Sequence, residues 1–412
     1  MKIAVVANDS RGGVQPYVAL ALGLRQAGHE VRAVAPADLV RMFGDAGLPI
    51  APLSGSVEEF VRTSSASAQG GMLAGMRLAA REMKPRIDAW TRETLAACDG
   101  VDVMTGGIGG MVVGLSVAEK LGKPFIPTHL QPVDAPSSDY PGPLVSGLPR
   151  GPGGVGWRLS HRLSALALRM PFQAAMASAR ADVLGLSGRA TAADGQPVLY
   201  GFSRHVVPVP ETTNPERLVT GYWWLPAPEA WDPPPALEAF LAAGGPVVSI
   251  GFGSMATADP ATMTNLVVGA VRRADVRAVI LSGWGGLATL PPSDDIFVAD
   301  SIPHDWLFPR LRAVVHHGGA GTTGAAVRAG VPAVVVPFGV DQPFWASRVR
   351  ALGVGTTPIP RRRLSEDRLA DAIAQAVTDE AMRRRAADLG ALVRAEDGVG
   401  EAVRRFGRLA PS

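Results

Sequence analysis

The stretch His316-His317-Gly318-Gly319-Ala320-Gly321-Thr322-Thr323 puts two imidazoles, three glycines and two hydroxyls into one short turn. Val314 and Val315 end an apolar run before it, as a buried parallel strand would. Gly321 to Gly330 has helical spacing, and Pro332 stops the helix. A glycine turn that opens a helix after a parallel strand is an anion site, because backbone N–H groups point outward and the helix dipole favours negative charge there. Thr322 and Thr323 add hydroxyl donors. His317 can donate to a phosphate oxygen, most strongly when protonated. Adjacent histidines point apart, so His316 is read as structural and His317 as the ligand-facing ring. A two-histidine metal site would want i,i+4 spacing or an acidic neighbour, and neither is present. After the strand Val334–Val336, Asp341 and Gln342 offer a carboxylate and an amide, both suited to holding hydroxyl groups.

Other phosphate chemistries are excluded by what is missing. The chain has four lysines (Lys2, Lys84, Lys120, Lys123), all in its first third. There is no Gly-Lys-Ser/Thr for a Walker-type loop. The second half has no lysine to hold pyridoxal phosphate as a Schiff base. No Asp-x-Asp pair occurs, so a metal-bridged diphosphate is not expected. Net charge is +3, a weak basis for nucleic-acid binding. The single cysteine, Cys98, rules out an internal disulfide framework and fits a reducing cytoplasm. The opening run MKIAVVANDS is too short an apolar stretch for a signal peptide and reads as a first strand.

These groups need a frame to position them. A chain of 412 residues is comfortable for two domains. Lys2–Ala7 predicts a strand, Asn8–Gly13 a loop, Gln15–Ala27 a helix and Val31–Ala35 a second strand, the start of a doubly wound sheet. Residues 57–98 predict two helices broken near Pro85. Met72, Met76, Leu78, Ala79 and Met83 give them an apolar surface, either core packing or a wall of a lipophilic pocket. The loop from His129 to Gly154 is dense in proline and glycine and carries His129, Asp134, Asp139 and Tyr140, and a loop this long is usually functional. Trp157–Leu186 predicts a long helix with Arg158, Arg162 and Arg169 interleaved, read as packed rather than lying on a membrane. Short strands are expected at Val198–Tyr200 and Val206–Val209. The proline-rich stretch after Gly221 is the expected linker. The resulting division is 1–220, a linker at 221–236, 237–390, and a last helix at 391–412.

Together HHGGAGTT, AGVP and VPFGVDQPFW resemble the donor-site pattern of family 1 glycosyltransferases, in particular the bacterial natural-product and sterol glucosyltransferase branch. The resemblance implies an α/β GT-B fold: two Rossmann-like, doubly wound parallel-sheet domains facing a cleft, with the last helix returning to the first domain. It implies an inverting, metal-independent hexosyltransferase that takes a UDP- or TDP-sugar as donor. The acceptor would be a hydroxyl of a hydrophobic small molecule of polyketide, macrolide or sterol type. No resident cofactor is implied, since the nucleotide sugar is a substrate. By the same resemblance the Gly251–Ser254 turn, with Gly253 and Ser254, approaches the diphosphate and sugar. Trp284 follows the next strand. The segment Ser301–Phe308, with Ile302 and His304, holds the base. His317, Gly319, Ala320, Gly321 and Thr322 take the phosphates, and Asp341 and Gln342 the sugar. The opening Ser10-Arg11-Gly12 is similar to the family's first loop and joins the donor set. Three positions depart from the pattern. Ala325 stands where plant members have a ribose-binding glutamate. Gly13 stands where the family has an aspartate, and Asp9 where it has a glycine. That loop carries the general base in many relatives, so here the base is one of Asp9, His129, Asp134 and Asp139. An epimerase of the same fold and a silent helper of a partner transferase are the alternatives. A monomer or homodimer is expected, without nucleic acid.

Overall fold

The computed structural model describes residues 1–56, 72–133, 136–190, 196–209, 216–226, 231–253, 259–283 and 293–408, with side chains of the helix over 72–97 described from residue 83. The chain divides into two compact units: residues 1–204, 208–225 and 397–412 form one, and 205–207 and 226–396 the other.

Unit 1 is built on β1 (Lys2–Val6), β2 (Glu30–Pro36), β3 (Ile50–Leu53), β4 (Val103–Gly106), β5 (Phe125–His129), β6 (Val198–Tyr200) and β7 (Arg217–Val219). All pair in parallel, in the order β3-β2-β1-β4-β5-β6-β7. Its helices are α1 (Arg11–Gln26), α2 (Met72–Ala97), α3 (Ile108–Leu121), α4 (Val155–Arg169) and α5 (Gln173–Asp182). The near-continuous apolar strands are covered on both faces, as parallel sheets require. Val5, Val31 and Ile126 pack with α1 on one face, and Ala4, Val6 and Met104 with α2 and α3 on the other. The strand order reverses between β1 and β4, which makes the loops after those strands the natural place for a ligand.

Unit 2 has β8 (Val247–Gly251), β9 (Arg277–Leu281), β10 (Ile296–Ala299), β11 (Ala313–His316) and β12 (Ala333–Val335), parallel and in the order β10-β9-β8-β11-β12. Around it lie α6 (Pro260–Arg273), α7 (Ala320–Ala329), α8 (Gln342–Ala351), α9 (Glu366–Thr378) and α10 (Glu380–Arg394). Its switch point is between β8 and β11. The last helix, α11 (Gly398–Gly407), belongs to unit 1, where Ala402 and Phe406 enter the α1 core. Each unit is a doubly wound α/β layer structure, and the pair is the GT-B fold.

Several local expectations are corrected. α1 begins at Arg11, so Arg11, Gly12 and Gly13 form its first turn rather than a loop. α2 runs through Pro85 without a break. A proline inside a helix costs roughly 3 kcal/mol. Here Pro85 faces solvent, while Met83, Ile87 and Trp90 on the inner side are buried in the core and hold the helix together. Trp157–Leu186 is not one helix: a short 3-10 turn at Met170–Phe172, around Pro171, separates α4 from α5. Val206–Val209 forms no strand, and the seventh strand is Arg217–Val219. The expected linker is partly core. Trp223 is 2% exposed, donates Nε1–H to Thr220 Oγ1 and meets Tyr17 edge-on, so unit 1 continues to Leu225. Met83 is core; the side chains of Met72, Met76, Leu78 and Ala79 lie outside the described residues.

Candidate functional site

Three helix N-termini in unit 2 are closed by a side chain. Asp259 accepts from Thr262 N, Ser365 from Arg368 N and Asp379 from Met382 N. α7 is different. Its N-cap is Gly319, without a side-chain acceptor, and no acidic residue lies in its first turn. The N–H groups of Ala320, Gly321 and Thr322 are therefore left at the positive end of the helix dipole. An anion with several oxygens is what such an end accepts.

Glycine makes this approach possible from both sides. His317 stands between Gly253 and Gly319: a Cβ on Gly319 would fall 2.5 Å from His317 Nε2, and one on Gly253 3.0 Å from Cε1. Gly253 and Gly318 have φ of +60° and +91°, backbone that residues with a side chain rarely adopt. A Cβ on Gly318 would also press on Val335 and Gln342. Gly283 lies so close to Gly253 that a Cβ there would stand 2.6 Å from Gly253 O. The loops after β8, β9, β11 and β12 thus converge on one imidazole. Burial, and secondarily the nearby His304, push the His317 pKa down to about 4. The ring is neutral at pH 7, so what it offers is an N–H dipole rather than a charge. Its Nδ1 is buried and has no partner among the described residues. His316 is fully buried, its pKa pushed down to about 3 first by desolvation, and its Nδ1 accepts from Gly318 N at 3.1 Å. That bond shapes the turn, so His316 is structural.

Gln342 is 4% exposed, and its Oε1 accepts from Phe338 N at 2.7 Å and Gly339 N at 3.2 Å. Its carbonyl therefore ties the β12 loop rather than facing solvent. Asp341 caps α8 in sequence, yet its Oδ2 accepts from Trp345 Nε1 at 2.9 Å. Between Gly339 and Asp341, Val340 is exposed at φ +56°, a strained conformation for a β-branched residue. The loop is held tightly enough to store that strain beside its two polar side chains. Ile302 is buried, and His304 stacks on Phe308 at 4.3 Å, fixing the start of the short helix His304–Leu307. Ala325 is in α7. Ser254 and Trp284 lie outside the described residues. A cavity of about 320 Å³ opens at the opposite ends of the strands, by Val247, Arg312 and Pro332, away from these loops.

In unit 1 the carboxylate of Asp9 occupies the space above Gly13. A Cβ on Gly13 would stand 2.6 Å and 2.7 Å from the two Asp9 oxygens. Ser10 N donates to Asp9 Oδ1 at 2.6 Å, and Ser10 is the N-cap of α1. Ser10 is half-buried and Arg11 exposed. His129 ends β5 at 1% exposure, its ring 5.8 Å from that of Tyr200. Asp139 is exposed, and its N–H donates to Ser137 Oγ. Asp134 lies outside the described residues. Tyr17, missed by the sequence reading, donates its hydroxyl to Thr128 O at 2.7 Å and passes so close to Gly107 that no side chain fits there. It joins the loops after β4 and β5 to α1.

Residues 265–406 match the family model for the C-terminal domain of erythromycin biosynthesis protein CIII-like proteins. The chain is 34% identical over 431 aligned positions to a sterol 3-beta-glucosyltransferase of Arabidopsis thaliana, covering 100% of this chain and 66% of the relative. The chain belongs to the family 1 glycosyltransferases. A sterol 3-beta-glucosyltransferase of Aspergillus fumigatus is likewise 34% identical over 431 positions, covering 99% of this chain and 30% of that protein. The chain thus spans just under two thirds of the plant relative and less than a third of the fungal one. Solved structures share its fold over nearly all of both chains. The glycosyltransferase SnogD from Streptomyces nogalater is 23% identical at a TM-score of 0.67, covering 100% of each chain. The glycosyltransferase VinC in complex with DTDP is 20% identical at a TM-score of 0.69, covering 100% of this chain and 99% of that one. Against the first-loop pattern that the sequence resembles, Asp9 and Gly13 stand in each other's expected places.

Proposed function

We propose that this protein moves a sugar from a UDP- or TDP-sugar to a hydroxyl of a lipophilic small molecule, inverting the anomeric carbon without a metal ion. The observation that carries the reading is the uncapped glycine N-terminus of α7 with the neutral His317 beside it. A leaving nucleoside diphosphate needs its developing charge met, and preorganised N–H dipoles do so without reorganising. Asp341 and Gln342 stand on the next loop, where the sugar hydroxyls would meet them, Gln342 through its amide nitrogen. Ile302 and His304 take the base. The lipophilic acceptor is supported by relatives whose names refer to sterols and to erythromycin biosynthesis.

In this mechanism the acceptor oxygen attacks the anomeric carbon opposite the diphosphate. The bond from that carbon to the phosphate oxygen breaks, and its electron pair leaves with the nucleotide. The acceptor proton passes to Asp9, our choice among the four base candidates, because its carboxylate fills the place the family's aspartate would occupy. With wild type, product made in excess EDTA has the opposite anomeric configuration to the donor. His317→Ala lowers the transfer rate roughly a hundredfold. Retained configuration, loss of activity in EDTA, or a full rate in the variant would each contradict the reading. Donor binding without any glycosyl product would favour the epimerase or the silent helper.

A further inference from the structure

α4 is amphipathic the wrong way round. Its buried residues are Ser160, His161 and Ser164. Each serves the proline-rich loop: Ser160 Oγ accepts from Gly142 N at 2.7 Å, Ser164 Oγ from Leu144 N and Val145 N, and His161 Nε2 bonds Tyr140 O at 3.1 Å. The apolar residues face out. Val155 is 65% exposed, Leu159 47%, Leu163 38%, Leu166 51% and, one residue past the helix, Met170 51%. Their spacing of four, four, three and four places them within roughly 80° of one another at the α-helical 100° per residue. Arg158, Arg162 and Arg169 form an exposed stripe along one border of this patch, and the helix contains no Asp or Glu. Serines inward and leucines outward cannot be explained by folding, since burying the apolar face would gain free energy that this arrangement forgoes.

We propose that the outer face of α4 lies on an anionic lipid surface, with the leucines among the acyl chains and the arginines at the headgroups. An apolar stripe bordered only by cations is what such a surface selects; a protein partner would need an acidic rim to match the arginines. The inner face of the same helix holds the loop from Pro136 to Arg150, so docking would set a loop of unit 1 at the membrane, where lipophilic molecules dissolve.

Flotation of the full chain with phosphatidylcholine vesicles, with and without phosphatidylglycerol, tests this independently of any sugar transfer. Wild type floats with the anionic vesicles, on the order of a hundredfold better than with the neutral ones, since three arginines contribute at low salt. Leu159→Ser/Leu163→Ser/Leu166→Ser and, separately, Arg162→Glu/Arg169→Glu abolish flotation, while the thermal midpoint and its rise with added TDP stay as in wild type. Failure of wild type to float, or flotation unchanged in both variants, would overturn the proposal. So would a wild-type dimer in sedimentation that the leucine variant dissolves, since the face would then belong to a second copy of the chain.

Discussion

The exchange of Asp9 and Gly13 is the smallest feature with the largest consequence. A carboxylate rooted at position 9 can stand over position 13 only if position 13 has no side chain, and the two Asp9 oxygens come within 2.7 Å of where a Cβ would be. The substitutions are therefore coupled. Asp9→Asn lowers kcat about a hundredfold, as removal of a general base does. Gly13→Asp alone lowers it too, by forcing two carboxylates into one space. Asp9→Gly combined with Gly13→Asp recovers most of the rate. A double variant no better than either single would mean that the base is elsewhere. The exchange was visible in the sequence as two departures from a pattern; that both departures meet at one point was not, because it depends on how the first turn of α1 folds over Asp9. The buried imidazoles make a second claim at this scale. His316 and His317 are neutral in the fold, with pKa values near 3 and 4, and take a proton near pH 6.5 when unfolded. Stability is thus complete above pH 6.5 and falls as pH drops toward 3. The loss is on the order of a few kcal/mol from each, with the larger share from the fully buried His316. Chemical denaturation at pH 7, 5.5 and 4.5 should show it. A His316→Asn variant should flatten the curve, and an unchanged slope would contradict the assignment.

Among elements, α7 was the most legible. Strand, glycine turn, helix and proline stop follow one another in sequence with local causes. α2 and α4 were less so. The continuity of α2 through Pro85 depends on a core face supplied by distant strands, which outweighs the local cost. The buried side of α4 depends on backbone N–H groups of a loop that leads up to it, and apolar periodicity pointed to the other face. Val206–Val209 has strand-like composition, yet the place beside β6 is taken by Arg217–Val219. At this scale the prediction concerns the N-terminus of α7. Gly319→Ala keeps the helix, since the N-cap backbone at φ −62° and ψ 147° is open to alanine, but drives a methyl group into His317 Nε2. TDP affinity falls about tenfold while the fold survives. Calorimetry and circular dichroism separate the two, and unchanged affinity would mean that the ring does not sit where the phosphates bind.

At the scale of the molecule, two sheets with the same winding each end in glycine-rich loops at a switch point, and each presents one strong chemical feature there. Unit 2 presents a helix N-terminus without a side-chain cap, and unit 1 a carboxylate at the start of α1. The division was legible because each half carries its own apolar strand and glycine turn, Lys2–Val6 in one and Val247–Gly251 in the other. The boundary was less so, since Gly221–Leu225 looks like linker in composition and is held in unit 1 by Trp223. The return of the chain at Asp397 is fixed by a cap and by close packing: Asp397 accepts from Gly400 N, and Gly23 of α1 leaves room for Val399 of α11. Transfer of a sugar from a nucleotide donor is the activity proposed for this chain. It is tested most directly by incubating the protein with UDP- and TDP-sugars and a panel of hydrophobic alcohols and phenols, reading thermal midpoint and product mass together. The account predicts a raised midpoint with one nucleotide sugar and a product heavier by one glycosyl unit. A midpoint indifferent to every nucleotide sugar, with no product formed, would contradict it.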